Sequence, residues 1–532
     1  MKKTKINKCP FCGKIPEYDA KNQTVHCTTV DCALGDFYIN IEEWNKRYKV
    51  RTRFAPSPTG KIHIGNLRTA LFSYLIAKHN HGDFILRIED TDQKRSDSKY
   101  ESLIYKALNK TKLFWDEGPD MNINDIPYRQ SERKDIYIKY AEQLIKQGDA
   151  YYCFCPDYNS DLEKYKPEVN WGHKEDNDNF FGYNGHCRNL NKEEIEENLK
   201  ANKPYCIRQK LPLNQDITYN DKIYGKITIN TKDLDDQVLI KHDGFPTYNF
   251  ANVIDDHLMQ ISHVIRGNEY INSTPKYILL YQAFGWDIPE FIHLPLINII
   301  DENGEEHKLS KRFGSSSLED LLDEGYLPEA IINYIAFLGW NPKNDREIFN
   351  LKELIYYFDL NGINKASKVI FDKKKLDWFN KKYIEKMNQD DFIEYCQKFC
   401  SYKNMDWSRI APLIQSKIEN FTLLDYDLSI LNEEDVYSYK SLFEAKKQDY
   451  NHDDIIKFVN YLIENIKEEL TSEQYYDLIK KYETNIDFRS LMYIYRIIIT
   501  GRKVSIFSAT QVSELIGKDK TIERLKKVLS MK

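Results

Sequence analysis

Long apolar runs are missing from this chain of 532 residues. A membrane-crossing helix needs roughly 20 consecutive apolar residues. The longest stretches here, Tyr277–Phe284 and Leu294–Ile300, are short enough to be core elements. The N-terminus, Met1-Lys2-Lys3-Thr4-Lys5, is basic but leads into a cysteine pair instead of an apolar segment. No secretory signal is therefore expected, and the chain is read as cytoplasmic. Glycine is scarce, at 21 residues against an average of about 7%. Tyrosine (38), lysine, asparagine and isoleucine are plentiful; their codons are A/T-rich, which points to genome bias and not to function. Positive charge is not in excess either, the net charge being −6. Any RNA contact must then come from local basic surfaces, such as Lys373-Lys374-Lys375, Lys381-Lys382 or Arg502-Lys503, and not from a global field. Each of these runs also reads as an ordinary solvated face. There is no internal repeat and no low-complexity linker.

What is present supports several folded domains. Hydrophobic residues make up 41% and charged residues 30%, and single cores rarely grow beyond about 250–300 residues. Ten cysteines in a cytoplasmic chain read better as metal ligands and core residues than as disulfides. Lys8-Cys9-Pro10-Phe11-Cys12-Gly13 puts two thiolates on a tight turn. Cys27 and Cys32 complete a four-thiolate set with spacings suited to tetrahedral Zn²⁺. Residues 1–48 therefore form a unit of their own that depends on its metal to fold. Its closing stretch, Ile41-Glu42-Glu43-Trp44-Asn45-Lys46-Arg47, resembles the end of small zinc-ribbon proteins of the restriction-alleviation Lar type. Cys206, Cys396 and Cys400 stand apart and read as structural.

From Lys49 the pattern changes to alternating strands and helices. Val50–Ala55 reads as a buried strand. Leu67, Ala70, Leu71, Tyr74 and Leu75 form one apolar face of a helix running to about His79, and Phe84–Glu89 is the next strand. Strand, glycine turn, helix, strand opens a doubly wound nucleotide-binding sheet. Residues 142–239 interrupt it as an inserted domain of mixed, polar sequence, and α/β character returns with Val238–Ile240, Thr247–Val253 and Val264–Arg266. From Leu318 helical periodicity dominates to the end.

Two segments carry the chemistry. Arg53-Phe54-Ala55-Pro56-Ser57-Pro58-Thr59-Gly60-Lys61-Ile62-His63-Ile64-Gly65-Asn66 couples a strand exit to a turn and a helix start, where unpaired backbone N–H groups and the helix dipole favour phosphate. Lys308-Leu309-Ser310-Lys311-Arg312 puts two lysines and a serine on a polar loop, where they offset charge building on a triphosphate as pyrophosphate leaves. Between them lies an amino-acid pocket. Arg53 leaves the first strand toward the same crevice as His63, flanked by Ser57 and the Ala55 backbone. Glu89 ends the second strand, Tyr248 and Asn252 lie four residues apart, and Arg266 supplies a second guanidinium. Two arginines and one acid suit a dicarboxylic amino acid, each carboxylate meeting a cation and the ammonium an anion.

The two segments resemble the HIGH-type and KMSKS-type motifs of class I aminoacyl-tRNA synthetases. The surrounding sequence, including Tyr128-Arg129-Gln130-Ser131-Glu132-Arg133 and Thr500-Gly501-Arg502-Lys503, is similar to the bacterial glutamyl-tRNA synthetases from about Lys49 to Lys532. The resemblance implies an α/β Rossmann-type catalytic domain in two halves, 49–141 and 240–317, the second carrying the KMSKS-type loop. It further implies an inserted α+β acceptor-binding domain (142–239), a stem-contact region (318–385) and an all-α anticodon-binding domain (386–532). His63, Lys308 and Lys311 become the catalytic residues, with Gly65, Asn66 and Ser310 joining them around ATP; Asn66 stands where the family often has histidine. The Arg53 match reads the substrate's side-chain carboxylate with help from the Tyr248 match. The Arg266 and Asn252 matches hold the α-carboxylate, and the Glu89 match holds the amine. Mg²⁺ accompanies ATP, and the partners implied are ATP, L-glutamate and tRNA(Glu), with no membrane and a monomeric enzyme. Some relatives hold a second Zn²⁺ through Cys-x-Cys and Cys-x-His. Here Cys153, Cys155 and Cys187 remain, Asn189 replaces the final histidine, and either His186 or water is the fourth ligand or the site is a remnant. The expected activity is glutamate–tRNA ligation. The alternatives are a relaxed enzyme that also charges tRNA(Gln), and an inactive paralogue acting as an RNA-binding or regulatory protein.

Overall fold

The computed structural model describes residues 17–26, 39–40, 50–121, 126–155, 183, 185–309, 317–432 and 450–530. Near the N-terminus, strands β1 (Glu17–Asp19), β2 (Thr24–His26) and β3 (Ile39–Asn40) form an antiparallel sheet in that order. Cys9, Cys12, Cys27 and Cys32 lie outside the described residues.

The chain then divides into two compact units, 1–320 with 332–372, and 321–331 with 373–532. In the first, β4 (Arg51–Phe54) pairs in parallel with β5 (Asp83–Leu86) across the helix Ile64–His79. This is the right-handed crossover that the alternating pattern demands. Gly82 closes the connection because a Cβ there would meet the Val50 carbonyl oxygen at 1.8 Å. On the other side of β4, the Ser262 amide donates to the Arg51 carbonyl beside β11 (His263–Gly267), which runs parallel to β12 (Glu290–Leu294). Helices Tyr248–Leu258 and Thr274–Phe284 pack on this sheet, and their apolar faces share one core with Ile85, Val264 and Phe291.

The intervening region has a sheet of its own: β6 (Ala150–Cys153), β7 (Cys206–Gln209) and β10 (Val238–Ile240), all antiparallel. Its hairpin, β8 (Asp216–Asp221) with β9 (Gly225–Asn230), reaches β12 through Phe291 and Asp221. Beyond β12, β13 (Leu296–Ile300) pairs with β14 (Glu306–Lys308) and with a late strand, β15 (Lys368–Ile370). That strand departs from the helical reading of everything after Leu318, because the first unit takes back residues 332–372.

The second unit is helical, from Lys373–Lys386 to Lys518–Leu529, around a core that includes Phe392, Ile410, Phe458, Tyr495 and Val512. Helix starts are set locally. Asn451, Thr471 and Ser508 each cap an N-terminus while the side chain three residues on returns the bond. Gly501, at φ 66°, ends the helix Phe488–Thr500 in the left-handed region open to glycine. Among the described residues, no helix is long and apolar enough to cross a membrane.

Candidate active site

At the carboxyl ends of β4, β5 and β11 lies a cleft of about 800 Å³, the place where open α/β sheets take their ligands. Past β5 the chain stays extended: the Arg87 and Glu89 amides donate to the Phe54 and Pro56 carbonyls, each at 3.0 Å. Glu89 is thereby carried to the cleft floor beside Arg53. The cleft wall includes Arg53, Ala55, Ser57, His63, Gly65, Asn66, Glu89, Tyr248, Arg266 and Lys308. Asn252 is buried, and its side-chain amide donates to the Tyr248 carbonyl at 2.8 Å. Ser310 and Lys311 lie outside the described residues.

The two motifs meet through His63, which caps the helix Ile64–His79. Its Nδ1 accepts from the Gly65 N–H at 3.0 Å. The ring proton therefore sits on Nε2, which lies 3.0 Å from the Leu309 carbonyl and donates to it. On the far side of the second motif, the Leu318 amide donates to the Ile62 carbonyl. Both ends of the lysine-bearing segment are thus pinned to the first motif. Histidine here joins the two segments as well as facing the cleft.

Beneath the floor is a buried charge network that sequence reasoning missed. Asp256 accepts from Arg53 Nε at 3.0 Å and from Arg87 at 2.7 Å; Arg87 also donates to Glu89 at 3.0 Å. Asp255, one residue back, takes Arg133, Gln130 and Tyr137 at 2.8–2.9 Å. Two signals were available. Arg87 and Glu89 are two apart on one strand and so share a face. The adjacent acids Asp255 and Asp256 interrupt an otherwise apolar helix, and buried charges there must be paired.

Arg266 has no carboxylate partner. It is 5% exposed, its Nε and one Nη lack any hydrogen-bond partner, and its guanidinium lies 4.5–5.3 Å from the rings of Tyr277, Phe291 and Tyr270. Such a cation is held by ring faces with its donors kept for a ligand. Of the buried groups, Arg53 and Arg87 share Asp256, Arg87 also meets Glu89, and Arg133 meets Asp255; Arg68, equally buried, lines the same cleft. Burial, only partly opposed by Arg87 and Arg53, pushes Glu89 up from 4.5 to about 7. Burial works the same way on Asp256, but Arg53 and Arg87 outweigh it and hold that carboxyl below its ordinary value.

Away from the cleft, Cys153, Cys155 and Cys187 gather with their sulfurs within 4.8 Å of one another. Cys206, read from sequence as standing apart, lies opposite Cys153 in the β6–β7 register and joins the same buried cluster. His186 and Asn189 are exposed.

Comparison with known proteins agrees with this architecture. Residues 49–378 match the family model for the catalytic domain of class I tRNA synthetases (E and Q), and residues 377–529 match an anticodon binding domain. A glutamate–tRNA ligase of Clostridium botulinum (strain Loch Maree) is 44% identical over 492 residues, covering 90% of this chain and 97% of that protein. Its counterpart in Clostridium acetobutylicum is 44% identical over 487 residues, covering 90% and 98%. A crystal structure of the glutamate tRNA ligase from Elizabethkingia meningosepticum, in complex with its amino acid, superposes with a TM-score of 0.77 at 35% identity, covering 91% of this chain and all of that one. With a Rossmann-type cleft joining its two motifs in one unit and a second unit that is helical, this chain belongs to the class I tRNA synthetases (E and Q).

Proposed function

We propose that this chain is a glutamate–tRNA ligase, activating L-glutamate with ATP and transferring it to the 3′ end of tRNA(Glu). The observation that carries the reading is Arg266, a buried guanidinium in the cleft wall with unpartnered donors, in the same cleft as Arg53 and Glu89. Glutamate brings two carboxylates and one ammonium, which these two cations and one anion match. Arg53 reads the side-chain carboxylate with Tyr248 beside it, Arg266 takes the α-carboxylate with its unpartnered N–H groups, and Glu89 takes the ammonium. Asn252 joins Arg266 at the α-carboxylate, its amide also holding the Tyr248 carbonyl.

In the first step the α-carboxylate attacks the α-phosphorus of ATP, and pyrophosphate leaves from glutamyl-adenylate. The helix start at Gly65 and Asn66 faces phosphate with the positive end of its dipole, the Gly65 N–H itself being held by His63 Nδ1. His63 keeps that helix start joined to the Lys308 segment, and Lys308 and Lys311, with Ser310, meet the charge that builds on the departing pyrophosphate. Mg²⁺ accompanies the triphosphate as part of the substrate. In the second step a terminal ribose hydroxyl of tRNA attacks the acyl carbon and AMP leaves. No enzyme nucleophile is required; catalysis is positioning and charge stabilisation. A glutamine side chain would leave the Arg53 end of the pocket without its counter-charge, which is the basis of discrimination against the amide.

The region 142–239 serves the acceptor end and the segment 318–385 the tRNA stem, in a monomeric cytoplasmic enzyme. Residues 1–48 form a Zn²⁺ ribbon on Cys9, Cys12, Cys27 and Cys32. A second structural Zn²⁺ is held by Cys153, Cys155 and Cys187, three buried thiols at ligand spacing. The reaction is tested by AMP formation from ATP with a panel of amino acids in the presence of total tRNA. Glutamate alone should support it; glutamine performing equally well, or no amino acid supporting it, would remove the reading.

A further inference from the structure

Asp256 uses a single oxygen, Oδ1, for two guanidiniums: Arg53 Nε donates to it at 3.0 Å and Arg87 Nη1 at 2.7 Å. We propose that Asp256 and Arg87 are positioning residues for substrate selection. Asp256 aims Arg53, and Arg87 draws on the same carboxylate so that Arg53 stays cationic enough to choose an acid over an amide. The inference rests on the reading of Arg53 given above and names the groups that tune it.

Aim comes from the hydrogen bonds. Arg53 gives Nε to Asp256 and Nη1 to the Ile265 carbonyl at 3.2 Å, so two of its three nitrogens are fixed from within the protein. Among the described residues Nη2 has no partner, and Arg53 lines the cleft. A bidentate carboxylate would occupy two nitrogens of the guanidinium at once. The one-oxygen contact leaves a donor for the ligand.

Charge comes from the sharing. A carboxylate paired with one guanidinium makes a neutral unit, to which an acid and its near-isosteric amide are similar acceptors. Asp256 is instead divided between two cations. Burial opposes its charge, but Arg53 and Arg87 outweigh burial and keep it ionised. Arg87 is engaged in turn with Glu89 at 3.0 Å. Asp255 lies 3.8 Å from Arg87 but takes Arg133 at 2.8 Å. Arg53 therefore keeps part of its positive charge. Arg53, Arg87 and Asp256 are each at most 3% exposed, so solvent and salt screen these charges weakly. Selection is a difference of affinities, and this arrangement acts at the one end where glutamate and glutamine differ.

The test compares Kd values, by titration calorimetry on the full chain, for two non-hydrolysable adenylate analogues, the acyl-sulfamoyl adenosines of glutamate and of glutamine. Their ratio cancels the ammonium and adenosine contacts and reads the side-chain end alone. Asp256→Asn keeps an acceptor for Arg53 Nε and removes the negative charge, so the preference for the glutamate analogue should rise at least about threefold. Arg87→Gln leaves Asp256 to Arg53 alone, so the preference should fall at least about threefold. The double variant Arg87→Gln/Asp256→Asn, which removes one charge of each sign, should return to within about twofold of wild type. Damage to the fold weakens both analogues alike and does not give opposite signs at two neighbouring sites. If Arg87→Gln does not fold, as circular dichroism reports, Asp256→Asn decides alone. An unchanged or lowered preference in Asp256→Asn, or an unchanged or raised one in folded Arg87→Gln, would overturn the assignment while leaving Arg53 as the reader of the carboxylate. Wild-type protein that binds both analogues equally, or neither, would overturn the functional reading and this one with it.

Discussion

Glu89 offers the sharpest prediction, because burial carries its carboxyl up to about 7. Its rise from 4.5 to about 7 corresponds to about 3 kcal/mol against the ionised form, the result of burial at 4% exposure exceeding the attraction of Arg87 and Arg53. The ammonium of glutamate needs the carboxylate. In the free enzyme, kcat/KM for glutamate should therefore climb about tenfold per pH unit below about 7 and level off above it. Glu89→Gln keeps the shape but removes the titration. Its profile should be flat over that window, and its plateau lower by the worth of a charge-assisted hydrogen bond, about 1.5–3 kcal/mol, or roughly 10- to 150-fold. The stability sign runs in the opposite sense. A raised folded-state value means that this group's contribution to stability is fully present below about 4.5 and is lost as pH climbs through about 7. Thermal unfolding of the wild type should fall relative to Glu89→Gln across that range. A flat wild-type charging profile from about pH 5.5 to 8, with Glu89→Gln near full activity, would refute the ammonium assignment.

Other perturbations separate binding from scaffolding. Arg266→Gln removes a guanidinium that has no ion-pair partner among the described residues, so charging should fall by more than about tenfold while the melting temperature barely moves; equal losses in both would place Arg266 in the scaffold. Asp256→Ala takes the shared carboxylate from Arg53 and Arg87, at 3.0 and 2.7 Å, leaving Arg87 with Glu89, and should cost about 3–5 kcal/mol in urea unfolding; a loss below about 1 kcal/mol would show that the network matters little to the fold. Arg53→Ala should abolish glutamate charging with a smaller stability loss, since Asp256 keeps Arg87; near-normal charging with normal circular dichroism would sink the pocket assignment. For residues 1–48, metal analysis of that fragment should find one Zn²⁺ that is lost with Cys9→Ser and Cys12→Ser; a metal-free fragment would rule out the ribbon.

Much of the catalytic architecture was legible because its cues are local. The Arg53–Asn66 run announces strand, turn and helix start in order, and the helix ends at His79 as its apolar spacing requires. Residues that act across the fold were harder to see. Nothing near Asp256 names Arg53, more than two hundred positions away, as its partner; only the oddity of two acids in an apolar helix marked it. β15 was missed because a three-residue strand has no periodicity to read, and its pairing with β13 is long-range.

The most direct measurement is charging of labelled glutamate, and separately glutamine, onto tRNA transcripts for glutamate and for glutamine, with wild type and Arg53→Ala side by side. The account predicts glutamate on the glutamate tRNA, no glutamine on either transcript, and no product from Arg53→Ala. Glutamate on both transcripts would identify the relaxed form of the same enzyme. Folded, ATP-binding protein that charges neither transcript, or that charges glutamine as readily as glutamate, would contradict it.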